Sequence, residues 1–275
     1  MLLGFYFFFS LFSIMLIMSA NNWFIYWMSF EISVISFLPM ISTTSSKSVE
    51  TMVKYYIIQA MGSYVFLFSN IFKLGSFTSF ILMTMSLTMK LGLFPFMFWV
   101  PAVMANISWM TLFFISTIQK LNPMIVLHML NNNDIIIYVT VSSVFFSSLM
   151  ASNQTNLRKL MAFSSISHTS FIIISGYISN YLIMMYVCIY MFMTGMLFSV
   201  FYKSNMNNTT SWKKNKKKNI LILALAGLPP FPIFFIKVIM FFYISTISPI
   251  LLFFIMAGSL MSMYFYFILV FPSLL

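Results

Sequence analysis

Four ionisable side chains stand alone in long apolar surroundings. Glu31 lies in WMSFEISV, Lys90 five residues before Pro95, Lys120 three before Pro123, and Lys237 seven beyond Pro230. A charge at mid-bilayer costs about 2.5–3.5 kcal/mol on insertion scales, so such residues ordinarily line a polar pathway. The chemistry open to them is proton binding and release. Low dielectric disfavours the charged form of a lysine, and a nearby carboxylate favours it. A Lys90–Glu31 pair could therefore switch Lys90 between holding and releasing a proton as Glu31 changes partner. The blander alternative is a static buried ion pair that fixes helix register. Lys237 stands nearer a span end and could instead snorkel to the interface.

Other polar residues carry weaker signals. Glu50 and Lys54 are spaced i, i+4 at a helix start, ordinarily a modest surface pair, with proton entry or coupling as the functional alternative. His168 follows Ser164, Ser165 and Ser167 in an apolar helix. It could relay protons, since histidine titrates near neutrality, or serve as a hydrogen-bonded packing residue. His128, beside Asn131 to Asn133, reads as interfacial, and Asp134 as a first-turn charge favoured by the helix dipole. No metal cluster, phosphate-binding glycine loop or nucleophile motif is present. One cysteine, Cys188, and two histidines in separate helices are too few for an iron–sulfur cluster and exclude a disulfide framework.

The elements that must position these residues are transmembrane helices. The chain of 275 residues is 61% apolar and 6% charged, far from the charged shell that a soluble domain carries. Its mean hydropathy is +1.00. Apolar runs long enough to cross a bilayer are predicted at 2–19, 22–42, 49–69, 76–98 and 107–129, then at 135–151, 160–179, 181–202, 219–245 and 249–270. All should be helices, because each span must satisfy its own backbone, and the alternation of a barrel is absent. The first run has no basic front end and leads directly into the bundle, so it is expected to be a span and not a removable targeting segment.

The net charge of +11 falls mostly in short loops, a topology signal and not a nucleic-acid footprint. Alternating loops place Lys47, Arg158, Lys159, Lys203, Lys213, Lys214, Lys216, Lys217 and Lys218 on one side and only Lys73 on the other. Both termini are therefore predicted to face the matrix or cytoplasm. The run Lys213–Lys218 reads as a topology determinant near anionic lipid. With 35 Phe, 27 Met and a single arginine, residue usage suggests an AT-rich mitochondrial genome, the alternative being an AT-rich bacterium.

Two predicted spans are interrupted, the fourth near Pro95 and the ninth at Gly227-Leu228-Pro229-Pro230. Proline removes a donor and clashes with the preceding turn, so both helices should be broken. Each break falls in the fourth helix of a five-helix set, and an odd set size reverses the second copy. The expectation is an all-α polytopic membrane domain of about ten helices in two inverted five-helix repeats, 1–133 and 134–275, the architecture of many transporters.

Several segments resemble one family. KLGLFPFMFWVP at 90–101, WMSFE ending at Glu31, the Glu50/Lys54/Gln59 spacing and IQKLNP around Lys120 resemble signatures of the animal mitochondrial NADH dehydrogenase subunit 2 family. NQTNLRKLMAFSSISH at 153–168 and AGLPPFPIFFIK at 226–237 are similar to its later ones. The resemblance implies an antiporter-like proton channel in the membrane arm of respiratory complex I, in the mitochondrial inner membrane. It implies proton-relay roles for Glu31, Lys90, Lys120 and Lys237, and other membrane-arm subunits as partners, neighbouring antiporter-like ones included. NADH, FMN, iron–sulfur clusters and ubiquinone would be bound by those partners, and no cofactor or metal by this chain. Animal members begin three helices later than bacterial ones, which fits the start of this sequence.

The sequence also departs from the pattern. Met97 stands where the family commonly has histidine, and Ala102 where it has an acidic residue. The chain stops after its tenth predicted span, where relatives usually carry one more helix. A subunit of a cation/proton antiporter complex shares the lysine and broken-helix signatures and remains the second reading. A non-transporting spacer of the membrane arm is the third.

Overall fold

The computed structural model describes residues 2–42, 48–72, 75–130, 134–204 and 216–274, and among these every helix is an α-helix of 6 to 26 residues. Lys47, Lys73, Lys213 and Lys214, the side chains of Asp134 and Lys216, and Asn131 to Asn133 lie outside the described residues, so the topology reading drawn from them belongs to the sequence.

The chain divides into two compact units. The first holds α1 (Leu2–Ser19), α2 (Trp23–Ser42), α3 (Ser48–Ile71), α4 (Ser76–Leu91), α5 (Trp99–Met104), α6 (Trp109–Ser116) and α7 (Ile118–Met129). The second holds α8 (Asp134–Ser152), α9 (Leu157–Ile178), α10 (Asn180–Ser204), α11 (Lys216–Ala226), α12 (Pro232–Ile247) and α13 (Pro249–Leu274). In the first unit, α1 to α4 pack in chain order and α7 lies against α1, α2 and α4. In the second, α8 packs against both α9 and α13, and α12 against α9, α10 and α13.

Serine and threonine are frequent in these apolar helices because their hydroxyls turn back onto the preceding turn. Ser13 donates to Ser10 O at 2.7 Å, Ser33 to Phe30 O at 2.7 Å and Ser167 to Ser164 O at 2.8 Å. Each hydroxyl is satisfied within its own helix, so it can be buried where water is absent. α9 uses this most fully, being buried from Leu160 to Gly176 although that stretch carries Ser164, Ser165, Ser167, His168, Thr169, Ser170 and Ser175. Large apolar side chains such as Phe8, Met15, Phe192, Phe242 and Phe253 point outward, as an apolar solvent requires.

The protein is an all-α, multi-pass membrane protein. Among the described residues six segments are long and apolar enough to cross a membrane: Trp23–Ser42, Trp109–Met129, Ile135–Ser152, Leu157–Ile178, Asn180–Ser204 and Pro249–Phe271. The sequence suggests ten, and the difference has physical causes. The run 76–98 is helical only as far as Leu91, in the 16 residues of α4, and 219–245 is divided into α11 and α12, of 11 and 16 residues. α3 has 24 residues but carries Glu50, Lys54, Gln59 and Asn70. The run 107–129 still counts as one crossing, although it too is divided, at Thr117 (φ −120°, ψ −81°), a discontinuity that no proline or glycine announces.

Candidate functional site

Lys90 sits in the last turn of α4, and the way that helix ends builds its surroundings. Gly92 adopts a left-handed conformation (φ 69°), with Gly92 N donating to Met89 O at 3.2 Å and Leu93 N to Thr88 O at 3.0 Å. This paired closure satisfies two of the carbonyls that a helix end leaves free. The indole of Trp99, the first residue of α5, also donates to Met89 O, at 3.0 Å. The carbonyl of Lys90 itself accepts from Gln59 Nε2 on α3 at 3.2 Å. Lys90 reciprocates, its ammonium donating to the backbone carbonyl of Gln59 at 3.1 Å and lying 4.6 Å from the centroid of the Phe30 ring. The lysine is 5% exposed.

Glu31 follows Phe30 on α2, half-buried, and its carboxylate accepts from the Ser63 hydroxyl of α3. Glu31 and Lys90 are thus brought to the same part of the first unit, yet no ion pair joins them. Among the described residues the ion pair seen is Lys54–Glu50, an exposed i, i+4 contact on α3 of the kind the spacing suggests.

Lys120 is 3% exposed and occupies the first turn of α7, its backbone N–H donating to Thr117 O at 3.1 Å across the α6–α7 discontinuity. Pro123 stands inside α7 and has no N–H to offer the carbonyl of Gln119. Polar contacts flank the lysine. Gln119 Nε2 donates to Ser33 O at 3.3 Å, Tyr55 OH to Gln119 Oε1 at 3.3 Å, and Asn122 Nδ2 to Ser13 Oγ at 2.9 Å. Asn122 Oδ1 is buried without a hydrogen-bond partner.

In the second unit α11 ends at Gly227 (φ 78°), and α12 begins at Pro232 after the Pro229-Pro230 turn. Lys237 reaches back across this break to donate to Ala226 O at 3.1 Å, capping a carbonyl at the end of α11. Its ammonium lies 5.0 Å from the Phe171 ring centroid on α9. At 5% exposure Lys237 is buried. His168, three residues before Phe171, is also buried, with Nδ1 at 3.1 Å from Tyr186 OH and its ring 5.1 Å from that of Tyr190.

Sequence reasoning names the charged members of these clusters, and Gln59 through its spacing from Glu50 and Lys54, but misses the other neutral partners, Phe30, Ser63, Asn122, Phe171 and Tyr186. On α3 a pattern is present: Gln59, Gly62, Ser63 and Phe66 stand at i, i+3, i+4 and i+7, one face of the helix. Among the described residues no group of three or more His, Cys, Asp or Glu could hold a metal ion.

The family described as "NADH:quinone oxidoreductase/Mrp antiporter, TM" matches residues 70–262. NADH-ubiquinone oxidoreductase chain 2 of Artemia franciscana is 34% identical over 273 residues, covering 96% of this chain and 88% of that protein. The chain 2 protein of Lumbricus terrestris is 31% identical over 280 residues, covering 95% and 84%. The chain belongs to the NADH-ubiquinone oxidoreductase chain 2 family. This is the family whose signatures the segments at 90–101, 153–168 and 226–237 resemble. Solved structures extend the likeness in fold. A chain of respiratory complex I from Thermus thermophilus superposes with a TM-score of 0.87 at 21% identity, over 96% of this chain and 69% of that one. A chain of the Mrp complex from Dietzia sp. DQ12-45-1b does so with a TM-score of 0.84 at 12% identity, over 95% and 58%. The chain 2 fold is therefore shared with chains of both kinds of membrane complex.

Proposed function

We propose that this chain 2 protein moves protons across the mitochondrial inner membrane as a membrane-arm subunit of NADH:ubiquinone oxidoreductase, with Glu31, Lys90, Lys120 and Lys237 as the sites a proton visits. One observation carries the reading. Each of the three lysines is buried beside a helix discontinuity, Lys90 at the end of α4, Lys120 at the start of α7 and Lys237 across the α11–α12 break, where its ammonium holds a carbonyl at the end of α11. Buried ammonium groups repel one another in a low dielectric, so a row of them passes a proton by shifting which member is protonated. Moving each charge against the membrane potential costs about 2.3 kcal/mol per 100 mV, and the drive comes from partner subunits that bind NADH, flavin, iron–sulfur clusters and ubiquinone. His168, and the Glu50–Lys54 pair, are proposed as relay or coupling groups.

The same reading assigns ten crossings. Counting α4 with α5, α6 with α7 and α11 with α12 gives five in each half, which makes 1–133 and 134–275 inverted repeats with a break in the fourth crossing of each. Likeness between the halves supports this, since each sets a lysine on a backbone carbonyl and a phenylalanine face beside a left-handed glycine. Both termini and the segment 203–218 then face the matrix, and neighbouring antiporter-like subunits and lipid surround the chain.

Lys90→Met or Lys120→Met keeps much of the side-chain volume and removes the proton site. The assembled enzyme in proteoliposomes should keep oxidising NADH while translocating fewer protons per NADH. Normal stoichiometry in both variants would leave the chain as a spacer. The fold shared with the Mrp complex chain favours one other reading, a cation/proton antiporter subunit. Sodium-dependent proton movement in vesicles without NADH would select it.

A further inference from the structure

We infer that Ser63 is a positioning residue that keeps Glu31 off Lys90, and that its hydroxyl has two settings, one holding the carboxylate and one releasing it. This inference rests on the proton-relay reading above and adds to it the device that governs the Glu31–Lys90 contact. Three observations in the first unit converge. Ser63 Oγ lies within hydrogen-bond distance of two acceptors, the Glu31 carboxylate on α2 and Ala60 O at 2.8 Å within α3. A serine hydroxyl carries one proton and so serves one acceptor at a time. Lys90 meanwhile has a seat of its own. Its ammonium donates to Gln59 O at 3.1 Å and rests on Phe30, whose ring is fixed edge-on against Phe66 at 5.5 Å. Gly62 gives the lysine stem passage between these groups, because a Cβ there would lie 2.9 Å from Lys90 Cγ and 3.3 Å from Ser86 O.

Gln59, Gly62, Ser63 and Phe66 thus form one face of α3 that holds the ammonium and the carboxylate separately. The carbonyl and aromatic face attract a cation without neutralising it. With the hydroxyl on Glu31, the carboxylate is engaged and Lys90 stays on its seat. With the hydroxyl turned to Ala60 O, Glu31 is free to draw Lys90 to itself. Removing the hydroxyl leaves only the second setting, so Lys90 is trapped in the ion pair.

The test uses the whole assembled complex in proteoliposomes, with proton translocation per NADH and difference infrared spectroscopy read on the same samples. The Glu31 carboxylate band is assigned by its loss in Glu31→Gln. In Ser63→Ala the band shifts and translocation falls by roughly tenfold, the change in occupancy that follows from losing one hydrogen bond to a charged group. In Ser63→Thr, which keeps the hydroxyl, both return toward the parent, a rescue that a role in packing alone would not give. Should Ser63→Ala not accumulate, Ser63→Cys, a weaker donor of similar size, is read the same way. An unmoved band, or parental translocation, in the variant without the hydroxyl overturns the inference. Lys90→Met is run beside it. Parental translocation in that variant removes the relay reading, while the band in Ser63→Ala still decides whether the serine holds the carboxylate.

Discussion

Lys90 and Lys237 reach similar seats by different routes. Lys90 crosses to a neighbouring helix and uses the carbonyl of Gln59, whereas Lys237 turns back to the carbonyl end of the half-helix before its own. Both rely on a glycine for room. A Cβ at Gly62 would meet Lys90 Cγ at 2.9 Å, and one at Gly227 would meet Lys237 Nζ at 3.1 Å. Gly62→Ala should therefore cost about 1–3 kcal/mol through overpacking and displace the Lys90 stem. The expected outcome is a lowered temperature of thermal inactivation together with fewer protons per NADH. An unchanged value of both would mean that α3 and α4 separate freely at this point. The charged residues are legible in the sequence because a charge in an apolar run is expensive and needs a reason. Ser63 is not, because a serine hydroxyl in a membrane helix usually satisfies itself on its own backbone, as most serines here do. Its role depends on which helices face it.

At the level of elements, proline signals the neighbourhood of a break better than its position. The sequence points to Pro95, but α4 already ends at Leu91, because the closing turn needs the left-handed conformation that Gly92 supplies. α5 then packs so closely that a Cβ on Gly92 would lie 2.2 Å from Val100 Cγ2. Gly92→Ala combines backbone strain with a clash and should cost about 2–4 kcal/mol. The variant should accumulate little assembled complex on native gels, and wild-type levels would contradict this account of the break. Trp99→Phe removes the indole hydrogen bond to Met89 O and some ring volume packed beside Tyr55, a combined loss of about 1–3 kcal/mol. Its complex should assemble and inactivate at a slightly lower temperature. The α6–α7 discontinuity at Thr117 was not legible at all. Its sequence, FISTIQK, is that of a continuous helix, and the departure is accompanied by a local bond, Thr117 Oγ1 donating to Phe113 O one turn earlier at 2.6 Å.

For the whole molecule, membrane class and family are written throughout the chain, in its composition and in motifs that follow one another from Glu31 to Lys237. The count of crossings is less direct, since a helix broken in two leaves pieces too short to cross a membrane singly. Topology rests on charge. Nine basic residues in alternate loops against one in the others predict that the segment 203–218 faces the matrix. Protease added to mitoplasts should leave it intact and should cut it in inverted inner-membrane vesicles; cleavage in mitoplasts would reverse the assignment. The central claim is that the buried lysines work by gaining and losing a proton, not by supplying fixed positive charge. Arginine separates the two, because it keeps its charge at any accessible pH. The decisive measurement is proton translocation per NADH by assembled complex carrying Lys90→Arg, Lys120→Arg or Lys237→Arg, reconstituted in proteoliposomes. The account predicts that each variant assembles and that translocation is lost or sharply reduced; parental translocation in the arginine variants would contradict it.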